Sequence, residues 1–490
     1  MRFVIVLIAL LSVVSLNQSC SQERIIDNTQ PTPPAPPPLP PIPPPVTPLP
    51  GLVTFEAFES EMLTDATGLP SVQQENARFI TICDQYNSKY LNLPAMRRAV
   101  EKAVNQLSLE SDVEAGQWIG AFDCTLRVDQ RDYGWDDVIT YRGRKMTKWQ
   151  VIEATDPLRF ESFTDRGVLL KALTDTARPW VHGANFIENA MNNETYYAIM
   201  EVPNELNTFL DQYLGCNLQR DFDDFNEDLF LAGVRRSLIA LQKNRGILFT
   251  QCQEGAMSGT YDVILEGQTS PERSLSINPF PIEARTGRTF GHDASEYIFT
   301  LPNQMLGYAL FNAAGIRENF APTNIVTDNI RANIDPTIRN ARSCSSCHTG
   351  GFIEVSDFIT DHVRGNPNFE ADDIQKAQAY FGRNQGMRAA IRQANLKYQA
   401  AVQILQIDIN SPDPINELTD QIRKEMDARQ IAAILFLSEQ DFIARLRASP
   451  GGSLAVGQLI SGGTVSFQDF ILAAPILVSD LNLFQEDLGQ

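Results

Sequence analysis

Histidine is scarce in this 490-residue chain, with four residues at positions 182, 292, 348 and 362. No H-E-x-x-H, G-x-S-x-G or Walker loop occurs. That removes the usual sequence grounds for a zinc protease, an α/β-hydrolase or a nucleotide-phosphate site. Positive charge is short as well. Lys and Arg number 40 against 60 Asp and Glu, for a formal charge of −20 and a pI near 4.7. This argues against nucleic acid and anionic lipid surfaces as partners, and leaves room for a basic one such as a positively charged redox protein. Beyond the first residues there is no run of about 20 apolar residues, so no second membrane span is expected. Cysteine is also sparse: seven residues, five of them scattered singly, which gives no second cluster for a zinc site. A hydrophobic share of 43% with 20% charged residues fits an ordinary globular composition.

The remaining two cysteines stand together in "NARSCSSCHTGG". Cys344, Cys347 and His348 form C-x-x-C-H, the attachment signature of a c-type haem. At about 100° per residue the two cysteines lie one turn apart, so both sulfurs leave one face of a helix. They add to the porphyrin vinyl groups, and His348 is the proximal iron ligand. Asp335 as N-cap, Pro336 at the first helical position and Gly350-Gly351 as a stop frame a short helix around the motif. A thioredoxin-type dithiol does not need the trailing His. The expected cofactor is one covalent haem c.

The start of the chain points to export. "FVIVLIALLSVVSL" is an apolar run of fourteen residues, short for a membrane span and suited to a signal-peptide core. It leads to "LNQSC", which resembles a bacterial lipoprotein processing site with Cys20 as the lipidated residue. Asn17 stands where an apolar residue is usual, with Leu16 one place too early. Cleavage and release is the alternative. By resemblance to the lipoprotein sorting rule, Ser21 after Cys20 favours the outer membrane. In residues 31–50, 13 of 20 are proline. This segment reads as an extended spacer of roughly 60 Å at ~3.1 Å per residue. The expected organisation is a signal peptide at 1–19, a lipidated Cys and linker at 20–51, a mixed α/β domain of unknown role at 52–320, and a helical c-type haem domain at 321–490. The fold class expected is α+β, mostly helical, ending in a cytochrome c-like domain.

Cys83, Cys124, Cys216 and Cys252 remain, an even number in an oxidising compartment. Three pairings are open; Cys83–Cys124 with Cys216–Cys252 keeps each loop local, and buried free thiols are the alternative. "PAMRRAVEKAVNQL" places Met96, Val100, Ala103 and Leu107 on one helical face. "NEDLFLAGVRRSLIALQKNRG" repeats that pattern through Leu231, Val234, Leu238 and Leu241, with Gly246 as the stop. "YDVILEG" reads as a strand, and "EYIFTL" with "MLGYALF" as a hairpin. From about 352 onward helical periodicity dominates, including "INELTDQIRKEMDARQIAAILFL", a helix after Ser438, and "SFQDFILAAPIL" ending near Pro475.

"FGHDASEYIFTLPNQMLGYAL", followed by "SCSSCHTGG" and "DHV", resembles a family of exported bacterial proteins that carry one c-type haem motif in the last third. "ARPWVHGANFIENAMNNETYYAIMEVPNEL" and "SEQDFIARLRASPGGSLAVGQLISGGTVSFQDF" resemble it too, so the likeness spans roughly 175–475. The family pattern has two glycines where this chain has Ala294 and Ser295, and Gly-Leu where it has Gln304-Met305. The resemblance implies an envelope haem protein and little about activity.

Function turns on the iron's other face. His362, 14 residues beyond His348, is the first candidate for the distal ligand. Met387 is the runner-up and would raise the potential. An open position is the third option. His182 beside Trp180 and His292 beside Asp293 read as structural. The two function classes are a single-electron carrier with both axial positions filled, and a peroxidase-like enzyme or gas or redox sensor with one open. The first is favoured, in the periplasm or at the outer membrane.

Overall fold

The computed structural model describes residues 51–484, apart from 90–91, 159, 235–244, 265–273, 284–286 and 329–335. The signal peptide, Cys20, the proline spacer, Asp335, Leu238 and Leu241 lie outside the described residues.

The first part of the chain builds a small sheet in the order β2-β3-β1-β6, from β1 (Ala77–Thr81), β2 (Gln117–Ile119), β3 (Thr125–Asp129) and β6 (Trp180–His182). β1 pairs antiparallel with β3 and parallel with β6. A short hairpin, β4 (Val138–Tyr141) and β5 (Arg144–Thr147), stands apart. Helix α1 (Leu93–Asn105) opens on Pro94, and Met96, Val100 and Ala103 are buried as the periodicity requires. Cys83–Cys124 and Cys216–Cys252 are bridged, the local pairing.

The larger sheet has six antiparallel strands, ordered β12-β11-β10-β9-β8-β7. They are β7 (Phe230–Val234), β8 (Arg245–Cys252), β9 (Gly255–Asp262), β10 (Ala294–Thr300), β11 (Leu306–Asn312) and β12 (Arg317–Glu318). The expected β10–β11 hairpin forms, with Ala294 opposite Asn312 and Thr300 opposite Leu306. The helix expected over 226–246 does not form where the chain is described. Leu231 and Val234 sit in β7, and Gly246 pairs with Gly233 inside the sheet rather than ending a helix. A short apolar run buried on both faces carries no period that separates strand from helix. The strand read at 261–267 lies earlier, ending at Asp262.

From the C-x-x-C-H segment onward the described chain is mainly helical, through α2 (Arg342–Cys347), α3 (Ile359–Gly365), α4 (Ala371–Tyr380), α5 (Asn384–Ile404), α6 (Pro414–Arg423), α7 (Ala428–Ile434), α8 (Glu439–Ala448) and α9 (Phe467–Asp480). Two expected helices need correction. Residues 415–437 divide into α6 and α7, because Asp427 caps a new helix through the Gln430 amide. α9 runs through Pro475 to Asp480 instead of ending there.

The expected fold class is overturned. The protein is mixed α/β with three sheets among the described residues, and it does not present a clearly helical cytochrome c domain. The reason lies in packing. The helical residues after 321 bury their apolar faces in the same contiguous core as the preceding residues, running from Val53 to Phe484. Phe249 of β8, for example, meets Phe352 with ring centroids 5.4 Å apart.

Candidate haem site

Strand alternation explains where the C-x-x-C-H motif rests. In the observed register Arg245, Asp262 and Ala294 lie abreast on β8, β9 and β10, while Glu296, Ile298, Tyr308 and Leu310 continue the same face along β10 and β11. α2 lies on that face. The Cys344 Sγ–H donates to Glu296 Oε1 at 3.5 Å, and the ring of His348 is 6.5 Å from that of Tyr308. The opposite face is packed by Phe209, which meets Tyr297, Phe299 and Phe311.

The motif helix is shorter than the flanks implied. It starts at Arg342, after Ala341 at a φ of 58°, and not at Pro336. Asn340 anchors its entry by donating to the Tyr308 carbonyl at 3.3 Å. The serines between the cysteines are both buried and bonded. Ser345 Oγ donates to Gln106 Oε1, Gln106 Nε2 donates to the Leu306 carbonyl, and Ser346 Oγ donates to the Ser343 carbonyl. α2 is thereby tied to the end of α1 and to the start of β11.

A tight turn sets the orientation of His348. The Gly351 amide donates to the His348 carbonyl at 3.1 Å, and His348 Nδ1 lies 3.0 Å from the Gly351 carbonyl. A carbonyl only accepts, so Nδ1 carries the proton and the Nε2 lone pair is left for a ligand bond. Gly351 has φ +110°, and a Cβ there would stand 2.2 Å from Asn395 Oδ1. Asn395, on α5, accepts from the Phe352 amide at 2.7 Å and donates to the Phe352 carbonyl at 2.9 Å. The turn that fixes the imidazole is thus pinned by a side chain 44 positions away from Gly351 (395 − 351). Burial lowers the His348 pKa, against opposing pulls from Glu296 and the Gly351 carbonyl. The ring is held in the neutral form that binds metals.

The surroundings are charged but paired. Arg245 lies 2.5 Å from Asp262 and 3.6 Å from Glu296, with all three side chains nearly buried. Burial, and then the Glu296 carboxylate, push the Cys344 thiol well above its ordinary range. Deeper in, Lys102 of α1 pairs with Asp413, the N-cap of α6, and both side chains are fully buried. Burial alone would lower Lys102; Asp413 and the Tyr398 hydroxyl outweigh it and hold the ammonium above its ordinary value.

The other candidates are placed elsewhere. His362, on α3, has Nε2 2.9 Å from the Ser276 carbonyl and its ring against Phe369, so its ring nitrogen is engaged there. Met387 is buried in α5, one residue after Gly386, which faces Phe230. His292 packs on Tyr261, whose ring lies on the face opposite Glu296. His182 is buried among Phe160, Trp180 and Phe436. Sequence reading missed Arg245, Glu296, Tyr308 and Asn395. Glu296 did carry a signal, being the one charged residue of the strand Ala294–Thr300.

The donor set fits a c-type haem. Two sulfurs share one turn, an imidazole follows with Nε2 free of its internal bond, and Tyr308 lies beside that imidazole. Among the described residues no group of three or more His, Cys, Asp or Glu is arranged to hold a bare metal ion. No family model, curated protein or solved structure matches this chain.

Proposed function

We propose that this protein carries one covalent haem c on Cys344 and Cys347, with His348 as proximal ligand, and transfers single electrons in the bacterial cell envelope. The observation that carries the reading is the His348–Gly351 hydrogen bond, which sets the tautomer an iron ligand needs within a C-x-x-C-H turn. Bound there, the haem would supply a one-electron couple. The chain's own part is to fix the imidazole through Gly351 and Asn395 and to surround the site with sheet residues. The envelope location, lipidation at Cys20 and a basic redox partner belong to the same proposal and rest on the sequence.

Production with the haem-maturation machinery tests it. Mass spectrometry should find one added haem, and acid–acetone should leave the colour with the protein. A wholly extractable haem, or none, would overturn the reading. One observation favours the second function class. His362 Nε2 is engaged by the Ser276 carbonyl, so ligation by His362 requires that bond to break. A ferrous haem that binds carbon monoxide readily in the wild type would move the reading to an enzyme or sensor with an open position.

A further inference from the structure

The charged trio on the sheet has no evident need to be where it is. Buried carboxylates are costly, and a packed apolar face would stabilise the sheet better. Arg245, Asp262 and Glu296 nevertheless occupy the same face as α2, and Glu296 reaches the sulfur of Cys344 at 3.5 Å. One arginine between two carboxylates leaves a net negative charge on the trio.

We infer that Glu296, held in place by Arg245, sets the reduction potential of the haem c proposed above; the inference rests on that haem reading. The chemistry is charge balance. Ferric haem carries one more positive charge than ferrous haem, so a nearby net negative group favours the ferric state and lowers the potential. Glu296 is within reach because it touches the sulfur that would join the ring. Water screens it little, since side-chain exposure is 11% for Glu296 and 9% for Arg245. At an effective dielectric of about 20, a unit charge within roughly 10 Å shifts an equilibrium tenfold or more. Asp262 contributes less directly. It sits on the neighbouring strand abreast of Ala294, and orients Arg245 by a 2.5 Å contact. Arg245 is therefore the brake on the effect and Glu296 its source.

Potentiometric titration of the mature, haem-loaded protein tests this, with attached haem verified by mass first. Glu296→Gln keeps the shape and removes the charge. It should move the ferric–ferrous equilibrium about tenfold toward ferrous, which is about 59 mV upward for a one-electron couple. Arg245→Gln leaves both acids uncompensated and should shift the potential downward. Arg245→Lys should restore it, which a merely structural role for the arginine would not require. If Glu296→Gln does not fold, the contrast between the two Arg245 variants decides. Haem attached in every variant with the potential unmoved overturns the inference. Absence of covalent haem from the wild type overturns the haem reading itself.

Discussion

Replacing Lys102 by Met should destabilise the protein by about 3–5 kcal/mol, the usual cost of stranding one member of a buried ion pair. The structure puts this pair at the severe end. Both side chains are fully buried, so losing Lys102 leaves Asp413 as an uncompensated buried charge. Asp413 cannot simply turn away either, because its other oxygen accepts from the Ile415 amide at 3.0 Å and caps α6. Asp413→Asn removes the charge while an amide oxygen keeps the cap, so Lys102→Met/Asp413→Asn should recover a good part of the loss. The coupling energy should fall within the ~0.5–3 kcal/mol of directly interacting neighbours. Urea denaturation is the assay, with two probes. All four tryptophans lie at or before position 180, so their fluorescence reports the first part of the chain. Far-UV circular dichroism is weighted toward the helices, most of the longer of which follow residue 341. The pair joins α1 to α6 across 311 positions, so both probes should shift together. Two separate transitions, a single-mutant loss below about 1 kcal/mol, or a double mutant no better than the single would refute the reasoning.

Gly351→Ala should weaken the hold on His348, since the backbone there favours glycine and the new Cβ meets Asn395; a lower yield of low-spin haem in the visible spectrum is expected, and an unchanged spectrum would count against the turn. His182, lowered to about 4 by burial, binds its proton less well folded than unfolded, where the value is about 6.5. Its contribution to stability is therefore complete above about 6.5 and is lost as pH falls toward 4, by roughly 3 kcal/mol in all. Asp84, raised to about 6 by burial, acts the other way, adding stability as pH falls through 6 toward its unfolded value. The difference between His182→Gln and wild type isolates the histidine: the variant should gain relative stability between pH 7 and 4.5 in urea titrations, and parallel profiles would contradict this. His362→Ala should open the iron and admit carbon monoxide if His362 is the distal ligand, with Met387→Ala then nearly silent; the reverse pattern would name Met387.

The motif and its neighbours were legible to different depths. C-x-x-C-H stands out by its spacing alone, which is the spacing that thioether attachment of the proposed haem would need, whatever the surrounding fold. α1 and the helices after 352 were legible because one face is apolar and the other polar, and the β10–β11 hairpin because β-branched and aromatic residues flank a Pro-Asn turn. The strands at 230–252 were not. Both their faces are buried, so Leu231 and Val234 could be read on a helical period that the sheet does not use. The partners of the motif were hidden for another reason. Arg245, Glu296 and Asn395 reach it from 99, 48 and 51 positions away from Cys344, and nothing local to them records which element they will meet. The Cys83–Cys124 and Cys216–Cys252 bridges were the simplest of three pairings, and the described structure has them.

The sheet face under α2 bears on how the proposed haem site would be inherited. A haem motif that lives within one helical segment is a cassette, which can be copied, fused to another protein or lost without disturbing its host. Here the segment after residue 321 carries the sulfurs and the imidazole, while Glu296, Arg245, Tyr308 and Phe249 come from strands that precede it. Moved alone, the segment would arrive without its floor, and the sheet left behind would show an apolar surface interrupted by three unshielded charges. The two parts are bound to travel, and to change, as one.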